Sequence, residues 1–362
     1  MKKQKIAVAM SGGVDSSVAA ILLKKQGYDV FGVFMKFWSD PKLDPKSNCE
    51  NKCCSEESRL NAMRVAKKFN FPLYTINVKS DFKKLIVDYF INGYASGITP
   101  NPCVACNKLI KFDILLKKVK KLGAAKLATG HYAKILNKKN KYYLYRGLDE
   151  KKDQSYFLYN LSQTQLKNIL FPLSNYNKDQ IRKIATKHKI PQAKIKDSQD
   201  ICFAPRKNHE KFLKKYIPKK YLKPGNIINL DDGEVLGKHD GLPLFTFGQR
   251  SGLKIGGTGP YYVIDFNKNK NELLVSKNSN HPNLLKNEFK IKNINWISEQ
   301  PKTNIKYNCQ IRYQAKPVKA TISKDTPRRV LLDKKLRAIA PGQSAVFYKG
   351  RTVLGGGVIA NI

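Results

Sequence analysis

Ile6-Ala7-Val8-Ala9-Met10-Ser11-Gly12-Gly13-Val14-Asp15-Ser16-Ser17-Val18 runs from a short apolar strand, through a glycine pair, into a helical pattern. Two adjacent glycines let the backbone approach a ligand closely and permit positive φ. The helix that follows presents unsatisfied N–H groups and a partial positive charge. An anion is expected there, at the carboxyl end of a sheet strand. Ser11, Ser16 and Ser17 add hydroxyl donors. Asp15 repels phosphate, so its natural use is to hold a Mg²⁺ that bridges the phosphates. There is no Gly-Lys-Ser or Gly-Lys-Thr, which excludes a Walker A loop.

Outward from this turn the signals alternate. Val14, Val18, Ile21 and Leu22 share one helical face, Lys24 and Lys25 occupy its last turn, and Gly27 sits at the C-cap. Val30 to Met35 reads as a second buried strand. Ser55 reads as an N-cap with Glu56 and Glu57 in the first turn. Leu73 to Val78 and Lys126 to Thr129 read as further strands. Strand–helix alternation predicts an α/β fold with a doubly wound parallel sheet. Ala9, Met10, Met35 and Gly130 then join the loop residues as the expected nucleotide site.

Residues 140–215 read as more helical, with segments at Gln163 to Ile169 and Lys178 to His188. From Gly225 onward, short alternating strands are separated by Gly, Pro, Asn and Asp. Tyr261 to Phe266, Glu272 to Val275, Gln310 to Tyr313, Val318 to Ile322 and Ala345 to Phe347 read as strands, which suggests one or two small β-barrels. The expected division is a catalytic α/β domain with a helical extension over 1–215, a small central β domain over 216–280 and a C-terminal β-barrel over 281–362.

The 362 residues carry a formal charge of +41. A polyanionic partner such as nucleic acid is one reading. The excess is mostly Lys, with Asn and Ile also abundant, so an AT-rich coding sequence is the other. Hydrophobic content of 41% supports ordinary globular cores over a disordered chain. No run approaches ~18 apolar residues, so no membrane span is expected. Met-Lys-Lys-Gln leads directly into the first strand, leaving no room for a signal peptide, and the seven cysteines are an odd count. Both observations point to a reducing, cytoplasmic location.

Cys103 and Cys106 have the spacing of a metal-ligand pair or redox dithiol. Together with Cys202 they make three thiolates, enough for a [4Fe-4S] cluster with one open position. A thiol that transfers sulfur needs a helix N-terminus or neighbouring cations; Cys106 precedes a helix expected to start near Asn107, and Cys202 follows Lys194 and Lys196. Cys49, Cys53 and Cys54 form a second cluster, a candidate zinc or structural site.

The loop Ser11 to Ser17 resembles the SGGxDS signature of PP-loop ATP pyrophosphatases. That resemblance implies cleavage between the α- and β-phosphates and adenylation of a substrate. The blocks SGGVDSS, CCS (Cys53 to Ser55), TPNPCVACNKLIKFD (Thr99 to Asp113), ATGHYA (Ala128 to Ala133), KDQSYFL (Lys152 to Leu158), KDSQDICF (Lys196 to Phe203), GLPLFTFGQRSGL (Gly241 to Leu253) and APGQSAVFY (Ala340 to Tyr348) occur in this order. Together they resemble the tRNA-specific 2-thiouridylases nearly end to end. The resemblance implies ATP-dependent adenylation of the wobble uridine O2 in tRNAs for Lys, Glu and Gln, followed by persulfide sulfur transfer. It implies a cysteine desulfurase or sulfur-relay protein as donor, Cys202 as persulfide carrier, and Cys106 as the cysteine that releases sulfur through a transient disulfide. Relatives carry Asp, assigned acid/base work, where this chain has Cys103, a third candidate catalytic residue, and usually Asp where it has Asn61. The resemblance also puts His131, Lys152, Asp153, Gln154, Gln249, Arg250, Arg312 and Tyr313 toward tRNA. Two rivals stand beside this reading: another AMP-forming PP-loop synthetase, and a non-catalytic RNA-binding protein.

Overall fold

The computed structural model describes residues 3–40, 55–194, 200–204, 209–256 and 259–360. The second cysteine cluster, Cys49, Cys53 and Cys54, lies outside them. Four strands open the chain: β1 (Lys5–Ala9), β2 (Asp29–Lys36), β3 (Leu73–Asn77) and β4 (Lys126–Ala128). A hairpin, β5 (Ala133–Lys138) and β6 (Lys141–Arg146), precedes the edge strand β7 (Ile169–Leu170). The sheet order is β3-β2-β1-β4-β7, every pair parallel. This is the doubly wound sheet the alternation predicts.

Strand β1 shows why both faces need cover. Its side chains alternate: Ile6 and Val8 pack into one core with helices α1 (Val14–Lys25) and α2 (Glu56–Lys68), while Ala7 and Ala9 pack into another. Ser55 caps α2 by accepting from Ser58 N, as its position predicts. The second core is covered by α3, residues 79–95, and α4, residues 102–121.

Helix α4 begins at Pro102, not near Asn107, so Cys106 lies in its second turn. Asn101 is the stronger start signal: its side chain accepts from Val104 N, and Pro102 follows at the first helical position. From Cys106 to Leu115 the helix is wound with wide π turns. Gln165, from α5 (Gln163–Lys167), donates to the carbonyls of Lys108 and Phe112 at 3.0 Å each. Partners from outside take the place of ladder bonds that a widened helix gives up. Helix α6 (Lys178–Lys187) packs against α1, and α7 (His209–Tyr216) closes the α/β part.

The stretch read as helical after residue 140 begins instead with β6. Its Leu144 and Tyr145 pair with Val353 and Thr352, more than 200 residues on. The central sheet is β8 (Gly225–Asn229), β9 (Val235–His239), β10 (Tyr262–Asn267) and β11 (Glu272–Ser276), in the order β10-β11-β8-β9. Its core is small: Ile227, Leu253, Val263, Leu273 and Val275.

Six strands follow: β12 (Leu285–Trp296), β13 (Tyr307–Gln310), β14 (Val318–Ile322), β15 (Arg328–Arg337), β16 (Ser344–Lys349) and β17 (Thr352–Ile359). They pair antiparallel in the order β12-β15-β14-β13-β16-β17, and β17 pairs back on β12, closing a six-stranded barrel. Strand β13 ends at Gln310, so Arg312 and Tyr313, read from the sequence as strand, lie in the turn beyond it. Barrel residues Val346, Tyr348 and Val353 belong to the same core as Ala7 and Phe31 of the parallel sheet. The barrel is therefore packed into the α/β domain. Among the described residues no helix is long and apolar enough to cross a membrane.

Candidate functional site

The glycine turn sits between β1 and α1. Gly13 is the N-cap of α1 in extended conformation and supplies no side-chain cap. The first N–H groups of a twelve-residue helix thus face the loop without an internal acceptor. Gly12 has φ +73°, and a Cβ there would lie 2.2 Å from the carbonyl oxygen of Ser58 in α2. The serine hydroxyls bond within the loop: Ser16 Oγ accepts from Ser11 N at 3.2 Å and lies 3.3 Å from Ser11 Oγ, and Ser17 Oγ donates to Gly13 O at 2.9 Å. Gly130 closes the far wall, where a Cβ would come within 2.8 Å of the Asp15 carbonyl carbon. Met35 is buried at the end of β2, in the core that also holds Ala9; Met10 is buried on the opposite side of the sheet.

Asp15 is engaged by side chains from distant segments. Lys178 Nζ donates to its two carboxylate oxygens at 2.8 and 2.9 Å, and the Tyr132 hydroxyl donates to one of them at 2.7 Å. Tyr132 is in turn held by Gln154, whose side chain accepts from Tyr132 N at 3.1 Å while its own N–H donates to Tyr132 O. Asp153 turns inward, accepting from Gly147 N, Ser155 N and Ser155 Oγ. Burial pushes the Asp153 carboxyl above its ordinary range, against those hydrogen bonds and the nearby Arg146 charge. Lys152 is half-buried beside them. Of the three, Gln154 reaches the phosphate loop, through Tyr132 and Asp15.

His131 also faces inward. Its Nδ1 lies 2.7 Å from Thr129 Oγ1, and its ring packs against Phe112 and Phe171. Burial, then the charge of Lys111, holds its pKa well below the ordinary value. The ring stays neutral in the fold while the unfolded chain takes up a proton below about pH 6.5. Acid therefore favours unfolding. We expect wild-type stability to fall between about pH 6.5 and 5 by up to ~1.4 kcal/mol per pH unit more than that of His131→Gln. Parallel urea titrations of the two proteins would overturn this assignment if their acid slopes coincide.

Cys103 and Cys106 lie in the first two turns of α4. That helix leads into β4 and so runs against the strands, which puts its N-terminal turns on the carboxyl side of the sheet. Cys202 sits in the described stretch 200–204. The next residue, Phe203, is buried among Phe82, Phe90 and Phe212, with ring centroids 5.2 to 5.7 Å apart. All three thiols are half-buried, and Cys106 and Cys202 pack on the core that contains Ala9 and Met35. Among the described residues no group of three or more His, Cys, Asp or Glu is arranged to hold a metal ion. Lys196, expected beside Cys202, lies outside the described residues.

The loop that delivers the α4 cysteines is clamped by the barrel. Thr99 N donates to Pro341 O at 2.8 Å, and Gln343 Nε2 donates to Thr99 O at 3.0 Å. Gly342, at φ +90°, allows this approach: a Cβ there would lie 2.8 Å from Thr99 O. Nothing in the composition of APGQSAVFY marks that role. Gln249 organises its own turn, accepting from Thr246 N and donating to Ser251 O, while Arg250 is exposed. Arg312 is exposed, and Tyr313 packs on Phe157 with tilted rings and centroids 4.4 Å apart. Lys178 is the site residue sequence reasoning missed. One lysine among 68 Lys and Arg residues carries no local signal.

A parallel sheet, an uncapped glycine turn at its carboxyl edge and two appended β domains define a nucleotide-binding α/β protein of the HUP class. Three family models match in sequence order: a tRNA methyl transferase HUP domain over residues 4–206, a PRC-barrel domain over 210–277 and an aminomethyltransferase β-barrel domain over 286–359. Proteins named tRNA-specific 2-thiouridylase MnmA align along the whole chain. One from Carboxydothermus hydrogenoformans is 44% identical over 364 residues, covering 99% of this chain and 98% of that protein. One from Clostridium perfringens is 44% identical, with both chains covered completely. A Clostridium tetani relative, MnmA 2, is 45% identical over 360 residues, covering 99% of each. The chain belongs to the tRNA-specific 2-thiouridylase family.

Proposed function

We propose that this chain uses ATP to replace the O2 oxygen of a tRNA uridine with sulfur. The observation that carries this reading is an uncapped phosphate turn after β1 together with two half-buried thiols, from separate blocks, packed on the core that also holds Ala9 of β1. Methyl transfer, which the family model's description mentions, gives no reason for either feature.

The triphosphate fits the turn. Gly12 presents backbone where a side chain would clash with α2, and the first-turn N–H groups of α1 face the turn. Asp15 is the carboxylate within the loop that would hold a Mg²⁺, which would offset the charge of the phosphates. The uridine O2 attacks the α-phosphorus and pyrophosphate leaves. Adenylation converts a poor leaving group into a good one. The terminal sulfur of a persulfide on Cys202 then attacks C2 and AMP departs. Cys106 attacks Cys202 Sγ, the sulfur is released to the base and a disulfide forms, which an external thiol must reduce. A cysteine desulfurase or sulfur-relay protein would reload Cys202. Cys103 stands where relatives carry Asp, and a neutral thiol cannot do a carboxylate's acid/base work. The persulfide route is the reading we take, with a [4Fe-4S] cluster held by Cys103, Cys106 and Cys202 as its rival.

Tyr313, with the exposed Arg250 and Arg312, is assigned to the tRNA surface, and Gln249 to shaping it. The anticodon region of tRNAs for Lys, Glu and Gln is the expected substrate.

The test measures AMP, pyrophosphate and 2-thiouridine with and without unmodified tRNA-Lys, in the presence of a persulfide donor. All three products should require tRNA. AMP formed on a small-molecule acceptor without tRNA would favour a synthetase instead. Intact ATP throughout would leave only an RNA-binding role. Protein purified anaerobically should be colourless and iron-free; stoichiometric iron with charge-transfer absorption would favour the cluster route.

A further inference from the structure

Lys178 has no part in the reaction as described. It is the first residue of α6, and its side chain is 8% exposed. Burying a lysine costs free energy that an ion pair only partly offsets. The helix has other supports. Asn177 and Gln180 form a reciprocal capping box at the start of α6, and Ile181 and Ala185 anchor the helix in the core shared with α1. An apolar side chain at this position would leave those supports in place. The phosphate loop itself, Ser11 to Ser17, contains no Lys or Arg.

We propose that Lys178 is the polyphosphate-binding cation of this site, held on Asp15 until a nucleotide arrives. The proposal rests on the ATP reading above and deepens it. Without nucleotide the Asp15 carboxylate and the Lys178 ammonium neutralise each other. A triphosphate entering the turn brings several negative charges and a Mg²⁺. The ammonium then transfers from carboxylate to phosphate oxygen, which leaves the Asp15 carboxylate free to hold a cation. Each anion keeps a cation, and no charge is left buried alone. The Tyr132 hydroxyl, bonded to the same carboxylate at 2.7 Å, keeps Asp15 oriented during the exchange. A lysine suits this role because its compact charge rides on a flexible stem, whereas a bidentate arginine fork would release the carboxylate less readily.

The test is equilibrium binding of ATP, first in EDTA and then with Mg²⁺, to wild type, Lys178→Gln, Asp15→Asn and the double variant. In EDTA, Lys178→Gln should weaken ATP binding by roughly 30-fold, the scale of a lost charge-assisted hydrogen bond. Asp15→Asn should tighten it by about 3-fold or more, because Lys178 no longer has a competing anion. The double variant should stay as weak as Lys178→Gln. Recovery of the double variant to the wild-type level would overturn the proposal, since Lys178 would then only neutralise Asp15. If Lys178→Gln fails to fold, the Asp15→Asn arm decides alone: tighter Mg²⁺-free binding supports the exchange, and equal or weaker binding overturns it. Wild type that binds no ATP would sink the ATP reading itself. Wild type and Lys178→Gln binding equally well would sink only the role of Lys178.

Discussion

Cys202→Ser protein will bind tRNA, consume ATP and release pyrophosphate, yet form no 2-thiouridine. The substitution replaces one atom, and the local structure does not hang on that atom. The segment is anchored by Phe203, wedged among Phe82, Phe90 and Phe212. A serine hydroxyl cannot carry a persulfide, so the loss should reach at least ~10³-fold, as expected when a covalent nucleophile is removed. Adenylation precedes sulfur transfer and should continue, leaving an activated uridine that water returns to uridine. Futile AMP production without thiolation is the expected signature. Cys106→Ser differs in a useful way. It keeps the persulfide on Cys202, which mass spectrometry would detect, but it cannot drive release by forming a disulfide. Thiolation surviving in Cys202→Ser would remove the cysteine relay from the account altogether.

Gly12→Ala will cost the protein its nucleotide site. At φ +73° an alanine carries about 1 to 2 kcal/mol of left-handed strain. The steric clash weighs more, because the new Cβ would lie 2.2 Å from a backbone carbonyl of α2. No flexible side chain can move aside, so α2 or the loop must shift, and either movement displaces the N–H groups that face the phosphates. We expect ATP affinity to fall by roughly 100-fold or more, with a lowered melting temperature. Gly27→Ala supplies the comparison. Its φ is +87°, but nothing lies within 4 Å of the added carbon. It should show the conformational cost alone, with ATP affinity unchanged. Calorimetric titration and thermal melts of both variants separate strain from clash; equal losses would mean that close approach to α2 is unimportant.

The parts of this fold legible in the sequence are those where local chemistry and tertiary environment agree. The glycine turn, the Ser55 cap and the buried β1 and β2 strands each carry a residue-level reason within a few positions. The β5–β6 hairpin is harder to read. Lys141 to Arg146 has the aromatic content of a strand, but its partner Thr352 and Val353 lies at the other end of the chain. The start of α4 is easily misplaced, because the cysteines draw attention past Asn101 and Pro102. The roles of Asp153, His131 and Lys178 come from burial, which composition does not reveal in a chain this rich in lysine. An exposed position and a buried one look alike until distant elements pack.

The strand pairing between β6 and β17 also bears on how the protein is made. A ribosome adding about 5 to 20 residues per second needs roughly 10 to 40 s to travel from Arg146 to Thr352. Through that interval the hairpin emerges without its partner, and the core around Ala7 and Phe31 lacks Val346, Tyr348 and Val353. The nascent α/β domain must wait for β16 and β17, so a nonsense codon in the barrel before Val346 should yield an N-terminal fragment that cannot complete its own interior.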